Sequence, residues 1–341
     1  MEAMLYEKIR DQVVKCRLCN HRCVIKDGRR GKCSVRENRG GILETLVYDK
    51  VIAKNVDPIE KKPLFHFYPG SLSYSIGTTG CNFHCRFCQN ADIAHMPKES
   101  SGRIMGQPAE PGQMVEEASR AGCKSISYTY TEPTIFFELA YATAALAHEN
   151  GLKNVFVTNG YMTTEALEMI APFLDAANVD LKAFTEEFYE NQCDATLAPV
   201  LESLRTMKRL GIYIEVTTLV IPGLNDDAGE LENLAGFIAG ELGPETPWHV
   251  SRFHPTYRLT DRPATAVSKL MEARQIGMDK GLRYVYTGNV PGSGTESTAC
   301  PGCGNDVIVR SGFSVVKNRV TNGGRCPDCG AEIQGVGIAG D

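Results

Sequence analysis

The stretch Gly80-Cys81-Asn82-Phe83-His84-Cys85-Arg86-Phe87-Cys88-Gln89-Asn90 follows a short β-prone run at residues 72–77. Its three cysteines stand at C-x3-C-x2-C spacing, so three thiolates on one loop can converge on one metal centre. A structural zinc normally takes four protein ligands. A 4Fe-4S cluster usually takes four cysteines. Three cysteines on such a cluster leave one iron without a protein ligand, and a substrate or cofactor can chelate there. A zinc completed by His84 or a distant residue is the alternative on spacing alone. The position of the loop, after a first strand and ahead of a helix–strand series, argues against it.

That series fills the middle of the chain. β-rich runs recur at residues 72–77, 125–130, 154–158, 177–182, 213–219 and 248–253, with helical patterns between them. One helix starts at Pro133, a favoured first-turn residue, and ends before Gly151. A second covers about residues 198–210 and stops at Gly211, and a third covers about 226–241. A fourth follows Asp261-Arg262-Pro263, with Asp261 as its expected cap. Alternation of this kind predicts a parallel sheet covered by helices. Six units can close partway as an incomplete (β/α) barrel or lie open as a doubly wound sheet; the pattern does not separate the two. In both, ligands bind at the carboxyl ends of the strands. The polar groups there are the Cys81 loop, Thr131-Glu132, Thr158-Asn159-Gly160, Asp180-Leu181-Lys182, Pro222-Gly223-Leu224-Asn225-Asp226 and His254. Period two puts Asp180 and Lys182 on one face of their strand, a pair of opposite charges that can hold a zwitterion.

The three-cysteine spacing, with Phe87 just before the last cysteine, resembles the radical S-adenosylmethionine (SAM) superfamily. The resemblance implies a partial (β/α)6 barrel and a 4Fe-4S cluster on Cys81, Cys85 and Cys88. It also implies SAM on the open iron and reductive cleavage to a 5′-deoxyadenosyl radical that takes hydrogen from a substrate. It extends along the chain. Ser127-Tyr128-Thr129-Tyr130-Thr131-Glu132-Pro133 stands where the family carries a Gly-Gly-Glu-Pro-like motif. Tyr130 and Thr131 replace the glycines, so a backbone-carbonyl contact carries over and one that needs glycine does not. Asn159, Asp180 with Lys182, the Pro222-Gly223 loop and His254 are similar to the pyruvate formate-lyase-activating-enzyme branch. Phe87, Glu132, Asn159, Asp180, Lys182 and His254 are therefore the implied SAM-binding residues. Asp57-Pro58-Ile59-Glu60-Lys61-Lys62-Pro63-Leu64-Phe65-His66-Phe67-Tyr68-Pro69-Gly70 resembles the AmmeMemoRadiSam-system radical SAM enzymes, a resemblance that covers nearly the whole chain. This stretch is expected to line the barrel mouth. The implied partners are a reductase or a flavodoxin- or ferredoxin-type electron donor, and a protein or peptide substrate, with Memo-like and AMMECR-like proteins as candidates.

Thirteen cysteines are many for 341 residues, and eleven fall into three groups. Cys300-Pro-Gly-Cys303-Gly and Cys326-Pro-Asp-Cys329-Gly are matching knuckles whose pairs give a tetrahedral four-sulfur site. They predict a zinc-ribbon or rubredoxin-like module; thiolates alone do not distinguish zinc from iron, and structural zinc is the preferred reading. So short a module has little core, and its metal carries its folding. Cys16, Cys19, Cys23 and Cys33, with His21 among them, can hold a structural zinc or an auxiliary iron–sulfur cluster. Cys123 and Cys193 stand alone and read as buried thiols. The chain thus divides into a cysteine-rich segment at 1–70, a core barrel at 71–290, a Gly/Ser/Pro linker at 291–299 and a four-cysteine module at 300–341.

Lys plus Arg number 36 and Asp plus Glu 41, a net charge of −5. No basic field draws nucleic acid to the chain. A charged start and the lack of an 18-residue apolar run predict neither a secretory leader nor a membrane span. The expected compartment is the cytoplasm, where thiols stay reduced and serve metals. The competing class is a non-enzymatic zinc- or iron-binding adaptor or an electron-transfer protein. The outer cysteine groups fit it; the barrel pattern and the three-cysteine loop do not.

Overall fold

Each expected β-run forms a strand in the computed structural model, which describes residues 1–290, 292 and 294–339. The main sheet comprises β1 (Ala53–Pro58), β2 (Leu72–Gly77), β3 (Ser125–Tyr128), β4 (Lys153–Thr158), β5 (Ala176–Asp180), β6 (Tyr213–Val220), β7 (Trp248–Arg252) and β8 (Val285–Gly288). Strands β2 to β8 are parallel and stand in chain order, while β1 runs antiparallel along β2 at one edge. The seventh parallel strand, β8, arises from the stretch that closes the middle segment. Helices α1 (Pro111–Arg120), α2 (Phe137–Glu149), α3 (Thr164–Ile170), α4 (Ala198–Arg209), α5 (Ala228–Phe237) and α6 (Val267–Asp279) occupy the six crossovers.

Strand order separates the two architectures that the pattern left open. A doubly wound sheet reverses its order at a switch point and carries helices on both faces. Here the order never reverses, so crossovers of one hand put every helix on one face. Twist then curls the sheet around the other face. The β1 and β8 edges do not pair, and the barrel is partial.

Local chemistry sets the helix ends. Thr163 and Asp227 cap α3 and α5 by accepting from Ala166 N at 3.2 Å and Glu230 N at 3.1 Å. Asp261 does not cap α6, which begins at Val267 with no side-chain cap. The cause is Thr265. Its hydroxyl donates to Val220 O at 2.6 Å and accepts from Phe253 N at 3.1 Å, which ties the chain to the ends of β6 and β7 before the helix can start.

Strand alternation sorts the side chains. Ile76, Ile126, Phe156, Val179, Val216 and Val250 join the helices in one buried cluster. Ser73, Ser127, Asn178, Glu215 and His249 face the other way, and all are buried. Residues 63–67 fill this inner face at the amino ends of the strands, not at the mouth. The Glu215 carboxylate dictates that placement. It accepts from Phe65 N at 3.0 Å, His66 N at 2.7 Å and His249 Nε2 at 2.7 Å. Asn178 Nδ2 donates to Pro63 O at 2.8 Å, while Leu64 and Phe67 pack on Val155 and Ala176.

The C-terminal strands β9 (Thr298–Ala299), β10 (Asp306–Ser311) and β11 (Ser314–Asn318) form a small antiparallel sheet that seals the same plug. Tyr68 N donates to Val336 O at 2.7 Å, and Val336 N donates to His66 O at 2.8 Å. Arg310, fully buried against Glu60, donates to Phe65 O at 2.6 Å. Of the expected linker, Pro291 and Ser293 lie outside the described residues, and its last two residues form β9. Among the described residues no helix is long and apolar enough to cross a membrane.

Candidate functional site

The Cys81 loop leaves the carboxyl end of β2 and is pinned on three sides. His84 N donates to Cys193 O at 2.8 Å, Arg86 N to Gln192 O at 2.9 Å, and Arg258 N to Arg86 O at 2.9 Å. Gly80 makes the fourth side workable. Its φ is +102°, and a Cβ there would lie 2.6 Å from Val35 Cγ1 and 3.3 Å from the Cys33 carbonyl oxygen. Only glycine lets the N-terminal segment pack so closely against the loop. Phe83 and Phe87 point into the core at 1% and 4% exposure, and Phe83 N donates to Cys81 Sγ at 3.4 Å.

Burial pushes the Cys88 thiol up to about 12 and the Cys81 thiol well above its usual range. Cys85 is also raised well above it, first by a hydrogen bond with Cys193 and then by burial. Three such thiols ionise together only around a positive centre, as metal ligands do. Their spacing bears on which centre. Sulfurs around one zinc stand about 3.8 Å apart, the edge of a tetrahedron with 2.3 Å bonds. Among the described residues, only Cys300, Cys303, Cys326 and Cys329 bring three or more ligand atoms mutually within 4.8 Å. The Cys81 loop is more open, as the corner ligands of a four-iron cube require.

The implied SAM-binding residues occupy two different positions. Glu132 and Asn159 are spent on the fold. Glu132, 1% exposed, accepts from Thr134 N at 3.0 Å, Thr134 Oγ1 at 2.5 Å, Thr158 Oγ1 at 2.7 Å and Asn159 N at 2.8 Å. Asn159 Nδ2 donates to Asn82 Oδ1 at 2.8 Å and lies 3.9 Å from Cys81 Sγ. Together they tie the ends of β3 and β4 to the cysteine loop. Asp180 and Lys182 lie at the end of β5, with Nζ 2.8 Å from Oδ2. Burial works against the Lys182 ammonium, but Asp180, Cys85 and Cys193 outweigh it and raise its pKa well above the usual value. Phe87 lies beneath, its ring centroid 5.9 Å from Lys182 Nζ. His254 is exposed beyond β7. The Tyr130 that replaces a family glycine has φ +66°, and its hydroxyl donates to Asp57 Oδ2 at 2.8 Å.

Cys193 was legible only as a buried thiol. It is buried, and it also lies close enough to Cys85 to raise the pKa of that thiol and supplies a backbone acceptor to the loop. A lone cysteine more than a hundred residues from its neighbour carries no pattern that announces this.

The outer groups differ from each other. At the C-terminus, Cys300 Sγ is 3.5 Å from Cys329 Sγ and Cys303 Sγ is 3.8 Å from Cys326 Sγ, a set ready for one tetrahedral ion. At the N-terminus, Cys16, Cys19, Cys23 and Cys33 line a single pocket with Arg36. His21 is turned out of that group. Its Nε2 donates to Asn82 O at 2.9 Å, and burial holds its pKa down to about 4.

A half-barrel with an open three-cysteine loop after its first parallel strand defines a class. The chain belongs to the radical SAM superfamily, whose sequence pattern matches residues 75–235. An uncharacterized protein of Methanocaldococcus jannaschii is 46% identical over 333 residues, which span 97% of this chain and 98% of that protein. Another protein of that organism, provisionally named a glycyl-radical enzyme activating enzyme, is 22% identical over 205 residues, 59% of this chain and 75% of its own. The chain is thus related to the activating enzymes of the superfamily. The fold is shared with Streptococcus suis SuiB in its S-adenosylmethionine-bound crystal structure. The TM-score is 0.51 at 13% identity, over 67% of this chain and 52% of that one. The protein is therefore an enzyme of the radical SAM type. Membership implies a 4Fe-4S cluster, SAM and a reductant.

Proposed function

We propose that the protein binds a 4Fe-4S cluster on Cys81, Cys85 and Cys88 and acts on a protein or peptide substrate. When bound, the cluster would supply one electron to SAM, whose sulfonium C–S bond would break to give methionine and a 5′-deoxyadenosyl radical, and that radical would take a hydrogen atom from the substrate. The observation that carries this reading is the open cysteine loop at the carboxyl end of β2, with Lys182 close enough to Cys85 for their charges to interact. Asp180 is the exposed member of its pair, with a side chain 37% exposed against 13% for Lys182. Its carboxylate is placed to receive the ammonium or ribose hydroxyls of SAM. Lys182 stays beside the cysteines and balances negative charge there. Phe87 supports Lys182, and His254 stands at the rim as a further ligand contact. Glu132 and Asn159 are positioning residues that act through the loop. At the amino ends, residues 63–67 and the C-terminal sheet close the barrel to water, so the radical meets its substrate from the carboxyl side.

The choice of a protein or peptide substrate rests on the activating-enzyme relative. It is compatible with the fold, because SuiB carries the same fold and is recorded bound to a precursor peptide. For the C-terminal four-sulfur site we propose structural zinc. The test is anaerobic incubation of the reconstituted protein with SAM and a strong reductant, followed by quantification of 5′-deoxyadenosine. Release is expected, with loss on Cys88→Ala. Protein that holds iron and binds SAM yet releases none would overturn the proposal.

A further inference from the structure

We propose that Cys16, Cys19, Cys23 and Cys33 hold a second 4Fe-4S cluster, ligated by protein at all four irons and seated beside the SAM-cleaving loop. The C-terminal group shows how a single-ion site is spaced in this same chain: four sulfurs mutually within 4.8 Å. The N-terminal sulfurs line one pocket yet do not meet that spacing, although all are described. Outer sulfurs of a four-iron cube stand roughly 6 Å apart, because irons and sulfides fill the space between them. His21, the histidine that stands among these cysteines, is committed to Asn82 O.

The pocket wall provides hydrogen-bond donors to the sulfurs, although the Arg36 guanidinium itself is paired with buried Glu138. Arg36 is 1% exposed, and its NH1 donates to Cys16 Sγ at 3.4 Å. Its Nε, also buried, has no partner among the described residues and belongs to a side chain that lines the pocket. Cluster sulfide is an acceptor for such an orphaned donor. Lys32 N donates to Cys23 Sγ at 3.4 Å. Leu18, Ile25 and Ile135 complete an apolar lining that keeps water from the sulfurs.

Position gives the cluster its use. The Cys33 carbonyl packs against Gly80, next to Cys81, and the His21 ring holds Asn82 on the other side of Cys81. From that contact and standard backbone lengths, the Cα atoms of Cys33 and Cys81 are about 11 Å apart or closer. With no open iron, the second cluster passes electrons and binds no substrate. It takes one electron from a ferredoxin- or flavodoxin-type donor and hands one to the cluster on Cys81, Cys85 and Cys88. This relay rests on the function proposed above; the presence of the cluster does not.

The test is metal and acid-labile sulfide content of anaerobically reconstituted protein in which Cys81, Cys85 and Cys88 are all changed to Ala. About four irons and four labile sulfides per chain are expected, with an EPR signal on reduction that SAM leaves unchanged. About two zincs with no labile sulfide would overturn the proposal, since neither zinc nor rubredoxin-type iron carries sulfide. A signal that shifts with SAM would overturn full ligation. Should that variant not fold, the unaltered chain decides. About eight irons and eight sulfides support the second cluster, and about four of each overturn it.

Discussion

Replacing Glu132 separates an internal clamp from a SAM ligand. Its two oxygens accept from Thr134 N, Thr134 Oγ1, Thr158 Oγ1 and Asn159 N, all out of water. Hydroxyls can turn to other acceptors, but the two backbone N–H groups cannot. Glu132→Ala leaves both unpaired, at roughly 1–3 kcal/mol each, so a loss of about 4 kcal/mol is expected. Glu132→Gln keeps one acceptor and points an NH2 group at one of the N–H groups, for a loss of about 2 kcal/mol. Urea unfolding followed by the fluorescence of the buried Trp248, the chain's single tryptophan, reads both. The Ala variant should unfold at the lower urea concentration, and SAM cleavage should fall in the same order as Asn159 loses its hold on the Cys81 loop. An unchanged urea midpoint with SAM binding abolished would refute this reasoning and make the carboxylate a direct ligand.

Other perturbations follow from the plug and the ribbon. His66 is buried, donates from Nδ1 to Gln334 O at 2.6 Å and accepts from the Tyr286 hydroxyl at 2.6 Å. Burial holds its pKa near 4, below the 6.5 of the unfolded chain. The unfolded state therefore binds the proton first as pH falls, and stability should drop by roughly 3 kcal/mol between pH 6.5 and 4. His66→Gln should flatten that slope in the urea midpoint, and an equal slope would reject the assignment. Arg310→Ala strands the buried Glu60 and should cost about 3–5 kcal/mol, seen as faster proteolysis between residues 290 and 300. The double change Arg310→Met with Glu60→Met should recover much of the loss. Chelation of the C-terminal metal should abolish amide protection in β10 and β11 while the iron of the barrel stays in place. Protection that persists would mean the core around Val307 and Ile308 folds without a metal.

The barrel was legible because parallel strands buried on both faces read as apolar runs and glycines mark helix ends. Gly151 and Gly211 do so with φ of +74° and +77°. Strand β8 was missed as a strand because its four residues, Val285–Gly288, are too short for a period to show. Helix α6 was started early because the Asp261 capping pattern is local, whereas the tie of Thr265 to β6 and β7 is not. In the site, the cysteine spacing was decisive, since a loop of eight residues carries its own geometry. The uses of Glu132 and Asn159 were not, because strand-end position says where a side chain starts and not what it meets. The stretch 57–70 had no visible code for a similar reason. Its backbone is held by Glu215, a side chain about 150 residues away.

The most direct test is EPR of the anaerobically reconstituted, reduced protein with and without SAM. To isolate the open site, the measurement uses a variant in which Cys16, Cys19, Cys23 and Cys33 are changed to Ser. A 4Fe-4S signal that shifts on adding SAM is expected, because the cluster on Cys81, Cys85 and Cys88 has an iron free to bind it. A well-formed cluster whose signal ignores SAM would mean that a protein side chain occupies that iron, and the radical chemistry proposed for this barrel would be contradicted.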